Sequence, residues 1–240
     1  MLTDGQIALA AKVLGLLAVG GLIGLLRPRL FSWRWLLVAA ALVILNDATA
    51  TRVWRLAPRV LPRSDFAWQG KLMALAASLV VASLPAFGRR RSGLTLRQTP
   101  GSLRPALVCV ALYVIFLIGL ALMLPNGQVT GEELAFQLTL PGLEEELFYR
   151  GVLLLAFDRA FAARARLLGV DWGWSAVLTS VLFGLDHAFG YSHGAFSFDA
   201  LTMALTALPS LVAVWIRLRT GSLLLPVVMH NAGNVLALLV

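Results

Sequence analysis

Eight stretches dominated by apolar residues recur along the chain, at roughly 7–26, 35–51, 68–87, 105–124, 141–157, 174–190, 199–216 and 222–240. Segments rich in Arg, Pro and Gly separate them. At 1.5 Å of rise per residue, about 20 apolar residues cross roughly 30 Å of hydrocarbon. The pattern therefore predicts an all-α fold: a polytopic membrane helix bundle of about eight transmembrane helices, forming a single domain over residues 1–240 without internal repeats. Asn46 and Asp47 interrupt the second run, and "RVWRLAPRVLPR" after it suits an amphipathic interfacial helix. The opening "MLTDG" lacks a basic segment, so the first run reads as a retained helix rather than a cleaved signal.

Composition sharpens this picture. With 59% hydrophobic and 13% charged residues, the 240-residue chain is far more apolar than a soluble domain, and membrane lipid is its expected surrounding. A net charge of +8 in a soluble protein would point to nucleic acid, but here the basic residues lie mainly between apolar runs, so nucleic acid is not expected as a partner. With eight crossings, the connections at 27–34, 88–104, 158–173 and 217–221 share one side and carry 13 basic residues, against four at 52–63 on the other. The positive-inside rule makes the richer side cytoplasmic and puts both termini outside. Cys109 is the sole cysteine, which excludes an intrachain disulfide or a cysteine metal cluster.

Ionisable residues inside spanning helices are expensive and usually face a cavity or each other. Six positions on three runs stand out: Glu145, Glu146, Arg150, His187, His230 and Asn234. In "EEELFYRG", Pro141 suits a first helical turn, and the carboxylates of Glu144, Glu145 and Glu146 would complement the positive helix terminus. Glu146 and Arg150 stand four apart in the favourable acid-before-base order, while Glu145 points about 100° away and is free to face a cavity. Phe183 and His187 are four apart in "FGLDHAFG", as are His230 and Asn234 in "HNAGN". Glu145 near the start of one helix and His187 near the end of the next lie toward the same face if the helices are antiparallel.

These three elements, in this order, resemble the motifs of the CAAX protease and bacteriocin-processing family of intramembrane glutamic proteases, over about residues 141–240. The resemblance implies an intramembrane endopeptidase of a bacterial or archaeal cell membrane, acting on a membrane-associated protein or peptide without a metal or other cofactor. It implies Glu145 as the general base that activates water, His187 as its helper, and His230 and Asn234 as donors to the oxyanion. Glu146 and Arg150 would orient these groups. The substrate class it leaves open spans prenylated CAAX-like C-termini and membrane-anchored sorted proteins. The residues by themselves also admit other classes. A metal-dependent protease is the nearest, although the H-E-x-x-H helix of common zinc proteases is absent. Others are a serine-type protease using "GWSA" at 173–176, and a transporter or scaffold whose acid and histidines relay protons. Glu144, Asp186 and Asn231 have no assigned part.

Overall fold

The computed structural model describes residues 2–56, 58, 64–123 and 128–239. Among the described residues, each expected apolar run is helical over most of its length. The helices are α1 (Asp4–Leu26), α2 (Trp33–Thr51), α3 (Trp68–Ser83), α4 (Leu103–Ala121), a short α5 (Gly131–Gln137), a rod made of α6 (Leu140–Glu146), a π-helical turn (Leu147–Leu153) and α7 (Leu154–Ala160), then α8 (Trp174–Ala188), α9 (Ala200–Thr220) and α10 (Leu224–Leu239). Three of them, α1, α2 and α9, are long and apolar enough to cross a membrane by length and composition; Leu103–Gly119 and Leu224–Leu238 are shorter apolar stretches. The polar pair Asn46 and Asp47 does not break α2, because Asp47 is stabilised there by an ion pair with Arg52. Of the segment expected to lie in the interface, Val53–Leu56 forms a 3₁₀ turn, and residues 57 and 59–63 lie outside the described residues.

Two connections expected as loops are antiparallel hairpins: β1 (Ala165–Leu167) with β2 (Val170–Trp172), and β3 (Phe189–Ser192) with β4 (Ala195–Phe198). Both turn through two residues of positive φ, Leu168–Gly169 and His193–Gly194. That geometry matches the twist of the flanking strands and is the usual two-residue hairpin turn. Apolar periodicity could not find strands this short.

The rod Leu140–Ala160 is the centre of the bundle, packed by α2, α3, α8 and α10, and its residues from Glu146 to Leu154 are all buried. Its flanks include Leu36, Ala39, Val81, Leu178 and Phe183. The carboxylates and the arginine therefore sit in the most enclosed helix of the molecule.

The ends of the bundle differ. At one end the connections expected to share a side are tied together: Ser32 N donates to Ala160 O at 2.9 Å, Thr99 N to Thr220 O at 2.8 Å and Leu223 N to Gly93 O at 3.0 Å, while Arg217 donates to Arg91 O at 2.6 Å. This is the arginine-rich end. The C-termini of α2 and α8 and the N-termini of α3 and α6 point the other way, toward the end that carries the ionisable cluster.

Candidate active site

Close helix approaches bring the cluster together. A Cβ on Gly70 would lie 2.1 Å from Ala50 O, so only glycine lets α3 reach the end of α2 this closely, and the next residue is Lys71. Gly142 plays the same part between α6 and α10. Its added Cβ would stand 2.2 Å from Asn231 Oδ1, an atom that accepts a hydrogen bond from Gly142 N at 2.9 Å. Asn231 also donates to Thr139 O at 3.3 Å, so this amide, to which the sequence assigned no part, fastens α10 to the start of α6 one residue after His230.

The three glutamates lie past the first turn of α6, at its junction with the π turn, and not at the helix terminus where their complement was expected. Leu154 N bonds to Tyr149 O, five residues back, so the turn holds one residue more than an α-helical one and offsets the residues beyond it. Glu146 and Arg150 nevertheless meet at 3.0 Å, both almost fully buried, with the guanidinium 4.4 Å from the centre of the Phe183 ring. Glu146 Oε1 also lies 2.7 Å from His230 Nδ1, which as donor to a carboxylate carries its proton there. The other nitrogen of the same ring, Nε2, stands 3.6 Å from Glu145 Oε2. That oxygen is buried and accepts no hydrogen bond from the described residues.

Glu145 turns its other oxygen elsewhere. Oε1 takes a hydrogen bond of 2.6 Å from Lys71 Nζ, and the same ammonium stands 2.6 Å from Glu144 Oε2. His187 Nδ1 donates to Phe183 O at 2.8 Å, which in the neutral ring leaves Nε2 as an acceptor. Among the described residues no hydrogen bond joins His187 to Glu145; they share a cavity of about 240 Å³ lined also by Lys12, Asp47, Lys71, Glu144, Tyr149 and Asp186. His187 also borders a second cavity of about 210 Å³, where His230 and Asn234 lie with Tyr113, Leu205, Pro209 and Met229. It stands between a polar chamber and a more apolar one. A cavity of about 550 Å³ at the arginine-rich end has no acid or histidine in its wall.

All six positions singled out in the sequence thus surround one region. Asn234 donates to Gln137 Oε1 at 3.0 Å, which engages one of its two N–H groups. Asp186 accepts from Tyr149 and pairs with Lys12 of α1. Lys71, Lys12, Tyr149 and Gln137 were missed. The two lysines carried a usable signal, since each is a lone charge within an apolar run. Tyr149 and Gln137 carried none.

Ser175, the nucleophile of the serine-protease alternative, is buried and donates to Asp158 Oδ1 at 2.6 Å. It starts α8 while His187 ends it, about 18 Å along the axis at 1.5 Å per residue, so the two cannot form a nucleophile–base pair. Among the described residues no group of three or more His, Cys, Asp or Glu is disposed to hold a metal ion.

Comparison with known protein families gives a match. The family described as "Type II CAAX prenyl endopeptidase Rce1-like" matches residues 105–236, just over half of the chain. The matched segment begins earlier than the motifs, taking in α4, and contains all six motif positions. Lys12 and Lys71 fall outside it. No curated protein and no solved structure matches the chain.

Proposed function

The chain belongs to the Rce1-like family of type II CAAX prenyl endopeptidases, proteases of the membrane, and on that footing we propose that it hydrolyses a peptide bond of a membrane-associated substrate with water activated by Glu145. The observation that carries this reading is the divided bonding of Glu145: Oε1 is held by Lys71, while Oε2, 3.6 Å from His230 Nε2, accepts no hydrogen bond from the described residues. A carboxylate oxygen with a free lone pair in an enclosed, polar-walled cavity is suited to take a proton from water.

In the proposed reaction, Glu145 Oε2 accepts a proton as the water oxygen attacks the scissile carbonyl carbon. His187, its tautomer set by Phe183 O, holds that water through Nε2. The carbonyl oxygen gains negative charge and is met by the second N–H of Asn234. His230, when protonated on both nitrogens, adds its Nε2–H, with Glu146 as counterion. Collapse breaks the C–N bond, and the proton taken by Glu145 passes to the leaving amine. Arg150 holds Glu146, and through it the His230 ring, in place.

The eight helical rods are proposed as eight crossings of one domain, in a bacterial or archaeal cell membrane. The clustering of 13 basic residues at the opposite end favours a site open to the extracytoplasmic face. An exported protein with a membrane-embedded C-terminal anchor is then a better substrate than a cytosolic prenylated one. Purified protein in nanodiscs, given a prenylated CAAX-like peptide and a membrane-anchored peptide in parallel, tests the reading. Cleavage of either, lost in Glu145→Gln, supports it; cleavage retained by a folded Glu145→Gln refutes the assigned base. Exclusive cleavage of the prenylated peptide overturns the substrate preference.

A further inference from the structure

Three consecutive carboxylates need counterions, and the structure divides the available cations unequally. Arg150 serves Glu146. Asp186 and Asp47, which line the same chamber, have their own partners in Lys12 and Arg52. Among the described residues, Glu144 and Glu145 share a single ammonium, that of Lys71, each at 2.6 Å. Their bonded oxygens are therefore within about 5 Å of one another, a range in which two carboxylates strongly disfavour joint ionisation. Among the described residues, Tyr149, His187 and, at 3.6 Å from Glu145, His230 are the other titratable groups around the pair. Lys71 reaches this point from α3, outside the segment matched by the family.

We propose that Lys71 is a positioning residue of this centre: it keeps Glu144 and Glu145 ionised side by side and, by engaging Oε1 of Glu145, turns Oε2 toward His230 and the reacting water. This rests on the reading of Glu145 as the base. Without Lys71, one proton enters the Glu144–Glu145 pair at neutral pH and the base is neutralised for much of the time. Glu144 is then the source of the difficulty, and removing its charge relieves it.

The test uses the full chain in nanodiscs and a membrane-anchored peptide, with rates followed from pH 5.5 to 9. Lys71→Met should lose at least tenfold at pH 7, the equivalent of about one unit of proton affinity, and recover as pH rises. Lys71→Met/Glu144→Gln should regain most of that loss at pH 7, and Lys71→Arg should keep the wild-type profile. A wild-type rate in Lys71→Met, or a loss equal at every pH and unrelieved by Glu144→Gln, overturns the proposal. Should Lys71→Met fail to fold, Glu144→Gln alone reads the same coupling: with the ammonium facing only Glu145, the acid limb of its profile should move to lower pH, and an unmoved limb counts against the proposal. Infrared spectroscopy separates this inference from the protease reading. A protonated-carboxyl band at pH 7 in Lys71→Met, absent in wild type and in the double variant, supports the charge role even if no peptide is cut, and its absence from Lys71→Met refutes it.

Discussion

Replacing Arg150 by Met removes a guanidinium but nearly preserves volume at what is, among the described residues, the bulkiest of the almost fully buried side chains. Arg150 and Glu146 are 2% and 1% exposed, so Glu146 cannot recover its lost counterion from water. Stripping one partner from a buried pair costs roughly 3–5 kcal/mol. Loss of the guanidinium from the Phe183 face, at 4.4 Å, adds up to about 2 kcal/mol in a desolvated setting. Against this, His230 Nδ1 remains 2.7 Å from Glu146 and retains part of its stabilisation, which puts the expected net cost near the lower bound, about 3 kcal/mol. For a chain of this size that corresponds to a fall in melting temperature of roughly 6–12 °C. Tryptophan fluorescence of the detergent-solubilised protein, with all variants heated at one scan rate, measures it. Arg150→Met/Glu146→Gln, which removes both charges, should recover at least half of the fall. Melting of Arg150→Met within about 2 °C of wild type, well short of the expected fall, would refute the reasoning, and with activity also lost it would make the arginine a substrate-binding group.

The same geometry sets the remaining expectations. Glu145→Gln should abolish cleavage while melting close to wild type, since it keeps an acceptor oxygen for Lys71; if Glu144→Gln were inactive and Glu145→Gln active, the base would be the neighbouring residue. Activity should survive strong chelators, and loss restored by one added metal ion would favour the metal-dependent alternative. Gly142→Ala should lower both activity and melting temperature, because its Cβ would collide with Asn231 Oδ1 and push α10, with His230, away from α6; wild-type rates in this variant would mean the contact is not needed. In a Cys109→Ser background, cysteines at Gln128 and Ser192 should label with a membrane-impermeant maleimide in intact cells, whereas one at Leu96 should label only after lysis. The reverse pattern would turn the site to the cytoplasm.

Much of the fold was legible because apolar helices are written in local composition, and the runs fold as helices, of which α1, α2 and α9 reach the length and apolarity of a full crossing. The ion pair of Glu146 with Arg150 was legible for a similar reason, as a spacing of four within one helix survives even the wider π turn. Ordered motifs on successive antiparallel helices also placed Glu145 and His187 toward one face. What sequence could not supply were contacts between elements far apart in the chain. Lys71 meets Glu145 across 74 residues because Gly70 lets α3 touch α2, and Lys12 meets Asp186 across 174. In the linear chain these lysines are isolated charges in apolar runs, and nothing nearby names their partners. The offset of Tyr149 toward Asp186, the seating of Asn231 on Gly142 and the two hairpins likewise depend on packing at single positions, where an ångström decides the partner and no periodicity records it.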